Sequence, residues 1–254
     1  RDLNVRVNRA LVLQNLRGQV RFWQNAASRN ARSGDRLQAV GQGVSTGKNS
    51  SVVLKIDLGI GQVNVSEQTR VNVQELSTGA NGGRITRLSV PTGQVRLQVR
   101  RFSAPDSRLE IETPAGVAGV RGTDFGMNVQ RNGKTSVATL AGSVAAIAEG
   151  KSVLVNGGFQ NFTIPGEPPS DPVPLRNDLS LQHKFIRRID SGVRRLRLEG
   201  KVDPVNRVIV EEVEQNVDRN GKFSVELETI SFPQVRVTVM TPLGFRRDYA
   251  LAFR

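Results

Sequence analysis

Alternating apolar and polar residues recur along most of the chain, and this two-residue period is typical of half-buried β-strands. Clear examples are Val63-Asn64-Val65, Val71-Asn72-Val73 and Val95-Arg96-Leu97-Gln98-Val99. Turn-forming residues separate such runs, as in Gly79-Ala80-Asn81-Gly82-Gly83. A Gly-x-Val element opens several strands at irregular spacing, so a loosely coiled β-solenoid and a β-sandwich both remain open. The pattern predicts an all-β protein.

The alternation stops at residues 165–174, which hold five prolines and predict a stiff linker. Apolar residues then recur at i, i+4, i+5 and i+8, at Leu181, Phe185, Ile186 and Ile189. This spacing predicts a short amphipathic helix over residues 179–191. From Val193 onward the alternation returns in short strands that resemble a small immunoglobulin-like sandwich. We therefore expect a β domain over 1–164, a linker with a helix over 165–192, and an immunoglobulin-like domain over 193–254.

Composition is that of an ordinary folded protein, with 37% hydrophobic and 23% charged residues. No apolar run approaches the roughly 18 residues of a membrane-spanning helix, so none is expected. The N-terminal residues Arg1-Asp2-Leu3-Asn4 lack the apolar core of a signal peptide, and we expect that such a leader has already been removed. Because the chain has no cysteine, disulfides, thiolate metal sites and cysteine nucleophiles are excluded.

The formal net charge is +13, and residues 1–165 carry +11 of it. Such a region attracts anionic partners, and arginine, which far outnumbers lysine here, suits bidentate contact with carboxylate or phosphate. Only 5% of residues are aromatic, which disfavours the base stacking of nucleic-acid binding. The predicted binding residues are the arginines of the strands over 84–101: Arg84, Arg87, Arg96, Arg100 and Arg101.

Candidate catalytic and metal-binding residues are few. His183 is the only histidine, which leaves Ser-His catalysis and histidine metal sites without a second member. Glu110 and Glu112 could form an acid–base pair, but Arg108 beside them favours ordinary surface charge. The turn over residues 218–221 lacks the distal glutamate of a calcium loop. We therefore expect no enzyme, no catalytic or metal site and no cofactor.

A distinctive motif runs from Thr113 to Val129 and includes Thr113-Pro114 and Val120-Arg121-Gly122-Thr123. Pro114 withholds a backbone donor and ends a strand, and Gly122 allows positive φ. We expect a sharp bend, held by Arg121 through donation to carbonyls or to Asp124. The residues expected to build this fold motif are Thr113, Pro114, Arg121, Gly122 and Thr123.

This motif resembles the core of the bacterial FecR family. Flanking elements follow the family's order over roughly residues 15–165, with Gly93-Gln94-Val95 before the motif and Leu140-Ala141-Gly142-Ser143-Val144 after it. The resemblance implies a sensor module of the periplasm or cell surface, which receives a protein signal. We expect an extracytoplasmic or secreted bacterial interaction module that binds a protein or an anionic envelope polymer.

A second hypothesis is a structural subunit of a surface fibre or homo-oligomer. β-Domains expose sheet edges that accept a neighbour's strand. The strand-like N-terminal arm, with Leu3, Val5 and Val7, suits such an exchange.

Overall fold

A computed structural model describes residues 9–57, 59–190, 193–227 and 234–252. The proposed exchange arm with Leu3, Val5 and Val7 lies outside these ranges. All regular structure within them is β-strand, as the alternation predicts. Over the same ranges no helix is found that could cross a bilayer.

Seventeen strands form one hydrogen-bonded network, which we call the N-terminal region. In chain order they are β1 Leu11–Arg17, β2 Val20–Gln24, β3 Ala27–Asn30, β4 Arg36–Leu37, β5 Gln42–Thr46, β6 Ser51–Ile56, β7 Gly61–Val65, β8 Arg70–Thr78, β9 Arg84–Val99, β10 Arg108–Thr113, β11 Gly116–Val120, β12 Asp124–Val129, β13 Thr135–Ala141, β14 Ser143–Ala148, β15 Lys151–Asn156, β16 Phe159–Thr163 and β17 Val173–Pro174.

These strands build two layers around one hydrophobic cluster. One layer runs β4-β1-β6-β7-β9-β12-β13-β16-β17. The other runs β3-β2-β5-β8-β9-β10-β11-β14-β15. Apolar residues from both layers, such as Leu54, Leu97, Leu88 and Val144, are fully buried between them. The alternation works because successive side chains of a strand point to opposite faces, so every second residue enters the cluster.

Strand β9 belongs to both layers. Its first half pairs with β8 and β10, and its second half, from Gly93 onward, pairs with β7 and β12. The change of layer occurs at Gly93, where φ is +105° and a Cβ atom would lie 2.4 Å from Thr69 Cα. Only glycine accepts both the conformation and the close approach.

The remaining strands form the C-terminal region, which has its own hydrophobic cluster. A three-stranded sheet has the order β18-β19-β22 and a four-stranded sheet the order β21-β20-β23-β24. Their bounds are β18 Gln182–Asp190, β19 Val193–Lys201, β20 Arg207–Val210, β21 Val213–Gln215, β22 Lys222–Leu227, β23 Gln234–Met240 and β24 Arg246–Ala252.

The helix expected over residues 179–191 is wrong, because β18 occupies most of that segment and pairs with β19 along its full length. Leu179, Leu181 and Phe185 pack against the C-terminal cluster. Their spacings of two and four residues fit one strand face as well as a helix face, so the periodicity was ambiguous. Hydrogen bonding to β19 decides in favour of the strand, since tertiary pairing overrides local spacing.

The two regions meet at a set of buried polar side chains, which we call the polar seam: Gln94, Asn128, Gln130, Lys134 and Gln160. Gly126 lies in the same contact, and a Cβ atom there would lie 2.0 Å from the carbonyl oxygen of Pro242. The backbone of β12 thus touches the loop that precedes β24.

Gly126→Ala should therefore lower the free energy of unfolding by about 1–3 kcal/mol, because a backbone atom must shift to admit the methyl group. Gly119→Ala is the matched control: its Cβ would meet nothing closer than Ala145 Cβ at 3.7 Å. Chemical denaturation of both variants checks this. Equal stability of the two would contradict the close approach of β12 to Pro242.

Lys134 is the charged member of the polar seam. Its Nζ donates to the carbonyl oxygens of Pro204 at 2.7 Å, Val217 at 3.0 Å and Asp218 at 2.8 Å. The ammonium also lies 4.6 Å from the ring centre of Phe162. Burial lowers the pKa of Lys134 to about 8, and the carboxylates of Asp218 and Asp203 oppose this shift only in part.

The lowered pKa predicts a stability that rises with pH. Between pH 8 and the ordinary lysine pKa of 10.5, the unfolded chain binds more protons at Lys134 than the folded chain does. The free energy of unfolding should therefore increase across this window, by up to about 3 kcal/mol. Denaturation curves from pH 7 to 10 measure the rise, and Lys134→Met should lack it. Parallel pH profiles for the two proteins would refute the assignment.

Candidate functional site

One edge of the N-terminal region is a stack of turns. The amide of Arg100 donates to the carbonyl of Ile60 at 2.8 Å, and the amide of Val99 donates to the carbonyl of Thr123 at 2.9 Å. Gly122, in the turn between β11 and β12, has φ of +67°, and its Cβ would lie 2.7 Å from Arg101 Cα. The turn that follows β9 is thus packed directly on the turn that precedes β12.

Three arginines project from this stack, and we call Arg100, Arg101 and Arg121 the arginine corner. All three are exposed. Within the part of the chain that the structure describes, none of their guanidinium groups makes a hydrogen bond or an ion pair. The corner therefore holds three positive charges without a neutralising carboxylate.

The other predicted binding arginines are already paired. Arg87 Nη2 lies 2.9 Å from Glu110 Oε2, with Glu75 and Glu112 also within ion-pair distance. The hydrogen bond with Glu110 raises the pKa of the Arg87 guanidinium further above its usual range.

Arg96 and Arg84 are also neutralised. Arg96 donates through Nε and Nη2 to the two carboxylate oxygens of Asp124, at 3.1 and 3.2 Å. Arg84 lies 3.8 Å from Asp57, which is also paired with the buried Arg9. Of the five arginines predicted to bind, the structure leaves Arg100 and Arg101 free for a partner.

The fold motif has the predicted bend but a different means of holding it. Arg121 was expected to donate to carbonyls or to Asp124, yet its side chain is exposed and forms no such contact. Gly122 in its positive-φ conformation and the Val99–Thr123 hydrogen bond hold the bend instead. Arg121 thus joins Arg100 and Arg101 as a surface charge, a role that sequence reasoning missed.

The start of the motif is held by hydroxyl groups. Thr113, the last residue of β10, donates from Oγ1 to the carbonyl of Gly116 at 3.2 Å and accepts from Thr135 Oγ1 at 2.9 Å. Pro114 follows directly and is exposed, which places it where the strand ends.

A surface groove of about 480 Å³ adjoins the arginine corner, and Arg100 lines it together with Lys55 and Thr123. Thr123 is 3% exposed, and its buried hydroxyl has no hydrogen-bond partner. Lys55 donates to the side chain of Gln62. Asp124 also lines the groove, but its carboxylate is paired with Arg96, which leaves Lys55 and Arg100 as its cationic side chains.

The residues considered for catalysis or metal binding have structural surroundings. His183 is exposed on β18 and meets the ring of Phe185 edge-on at 5.9 Å. Glu110 and Glu112 pair with Arg87. Across the described ranges, no three His, Cys, Asp or Glu side chains gather in a way that could hold a metal ion.

The two middle residues of Val120-Arg121-Gly122-Thr123 should respond differently to substitution. Gly122→Val forces a β-branched side chain into a positive-φ site and against Arg101, and should cost about 1–3 kcal/mol of stability. Arg121→Ala should have a free energy of unfolding within about 0.5 kcal/mol of the wild-type value, since exposed, unpaired side chains contribute little to stability. Thermal melts of the full chain compare them. A large loss of stability in Arg121→Ala would show that Arg121 does hold the bend.

The comparison with family models agrees with the motif. The family model described as FecR protein matches residues 42–145. A crystal structure described as a "putative anti-sigma factor" from Parabacteroides distasonis is 13% identical, with a TM-score of 0.42, over 51% of this chain and 58% of that chain. The chain thus spans little more than half of that protein's length, and a search of curated proteins gives no significant match. The region that matches the FecR family model, residues 42–145, includes the bend at Gly122.

Proposed function

We propose that the chain is a non-enzymatic, extracytoplasmic interaction or sensor module of FecR type, which binds an anionic partner through the arginine corner. One observation carries this proposal: Arg100, Arg101 and Arg121 are exposed together and lack a counter-charge, whereas Arg84, Arg87 and Arg96 have one. Exposed charge that the fold does not neutralise is available to a partner. The family match supports a regulatory or sensor role.

The chemistry of the corner defines the partner. Guanidinium groups form bidentate, charge-assisted hydrogen bonds with carboxylates and phosphates. The partner is therefore an acidic protein surface or an anionic polymer of the cell envelope. The net charge of the N-terminal region would steer either one toward the corner.

We also propose that the N-terminal region is the FecR-type domain expected over residues 1–164, and that the C-terminal region, which starts with β18 and not at residue 193, is the expected immunoglobulin-like sandwich. Two sheets around one hydrophobic cluster support the second assignment. The proline-rich segment between them lies along β16: Ser170 N donates to Phe162 O at 2.9 Å, and β17 pairs with β16.

A second candidate function is a structural subunit that assembles by strand addition. Within the described ranges β15 pairs only with β14, so its other edge can accept a strand, and its Leu154 is 59% exposed. Size-exclusion chromatography and electron microscopy test this candidate. Filaments that disappear on deletion of residues 1–9 would support it, and a strict monomer at high concentration would contradict it.

The arginine corner predicts salt-sensitive binding of polyanions. Labelled poly-glutamate and inorganic polyphosphate serve as carboxylate and phosphate probes in fluorescence anisotropy at low and high salt. Replacing Arg100, Arg101 and Arg121 with alanine should weaken binding by about threefold or more, since each exposed ion pair contributes on the order of 0.2–1 kcal/mol. The probe that binds more tightly indicates the chemistry of the partner.

The matched control replaces Arg17, Arg36 and Arg131, which are also exposed. This variant loses the same number of positive charges outside the arginine corner. If the probe binds at the corner, its affinity should stay within about twofold of the wild-type value, because distant exposed charges are screened at physiological salt. Equal weakening by the two triple variants, or binding that salt does not affect, would contradict a site at the corner.

A further inference from the structure

The polar seam is built on the recognition of backbone carbonyl groups. Gln94 Nε2 donates to the carbonyl of Thr241 at 2.8 Å, and Asn128 Nδ2 donates to that of Val205 at 2.8 Å. Lys134 adds three more carbonyl acceptors. These carbonyl acceptors lie in loops of the C-terminal region and not in its strands. Side chains of the N-terminal region therefore bind the C-terminal region at its loops.

A backbone amide and a carboxylate of the C-terminal region complete the contact. Gln130 Oε1 accepts from the amide of Val217 at 2.9 Å. Gln160 Nε2 donates to both carboxylate oxygens of Asp203 at 3.1 Å. Asp203 is 6% exposed, and Arg176 also approaches its carboxylate, at 3.4 Å.

The same seam contains buried polar atoms without a hydrogen-bond partner. They include the side-chain oxygens of Asn128, Ser136 and Asn206. Ser136 lies directly opposite both Asn128 and Phe162 in the ladder, so its side chain is on the seam face. These oxygens find no partner in the protein, so the seam is not held by fully matched hydrogen bonds.

The two regions have separate hydrophobic clusters. The two apolar clusters share no residue, and each is closed within its own region. Val205 and Leu243 are buried near the contact, but side-chain amides and an ammonium dominate it. The ion pairs at its margin, Lys48–Glu212 and Arg219–Glu167, are exposed and contribute little.

We propose that the C-terminal region is a releasable cover, which detaches from the polar seam while both hydrophobic clusters stay folded. Opening exchanges the seam hydrogen bonds for hydrogen bonds to water, and it returns the buried ammonium of Lys134 to water. The polar seam is separate from the arginine corner, and the inference does not depend on the proposed function.

Cysteine accessibility tests the proposal in the full chain, because the natural sequence contains no cysteine. Ser136→Cys places a thiol on the seam face, where Ser136 is 0% exposed. Val137→Cys is the matched control: the next residue of β13, 3% exposed, with its side chain in the N-terminal cluster. Ala138→Cys provides a second probe on the seam face if Ser136→Cys perturbs folding.

Under native conditions a thiol reagent should modify the Ser136→Cys variant at least about tenfold faster than the Val137→Cys variant. Low concentrations of denaturant should increase the labelling rate of the seam thiol less than that of the core thiol, since opening the seam exposes less surface than unfolding does. Fluorescence of Trp23, the single tryptophan, should stay native during labelling. Equal labelling rates with equal denaturant dependence at both positions would overturn the proposal.

Discussion

The two-layered N-terminal region depends on the passage of β9 from one layer to the other. Gly93 makes the passage possible, because Thr69 leaves no space for a side chain there. Thr69 also holds the crossing, since its hydroxyl accepts from the amide of Gln94 at 2.8 Å. The second half of β9 then carries Gln94 into the polar seam, Arg96 to Asp124, and the chain to Arg100. One strand therefore positions both the polar seam and the arginine corner.

The alternation of apolar and polar residues was enough to predict an all-β chain, because burial on one side of a strand leaves a direct signature in the sequence. It was not enough to predict the seam. Asn128 and Ser136 alternate with Met127 and Val137, and a polar residue at every second position normally faces water. Here the C-terminal region covers that face. Contact between segments far apart in sequence leaves no such local pattern.

The same limit explains the partial prediction of the arginine site. A sequence shows how many arginines a segment has but not which carboxylates the neighbouring strands bring beside them. Strand β10 places Glu110 next to Arg87, and β12 places Asp124 next to Arg96. Arg100 and Arg101 lie beyond the end of β9, where strand pairing has stopped, and they stay unpaired. Arg121 joins them because the bend at Gly122 needs no side chain to hold it.

Under the proposed function, anionic partners bind at the turn stack and not over the whole basic surface. Backbone amide NMR during titration with poly-glutamate or polyphosphate locates the contact directly. The largest chemical-shift changes should cluster at residues 100–101 and 121–123, and about 0.5 M salt should abolish them. Changes that spread evenly over the N-terminal region, or that concentrate at Arg84 and Arg87, would contradict binding at the turn stack.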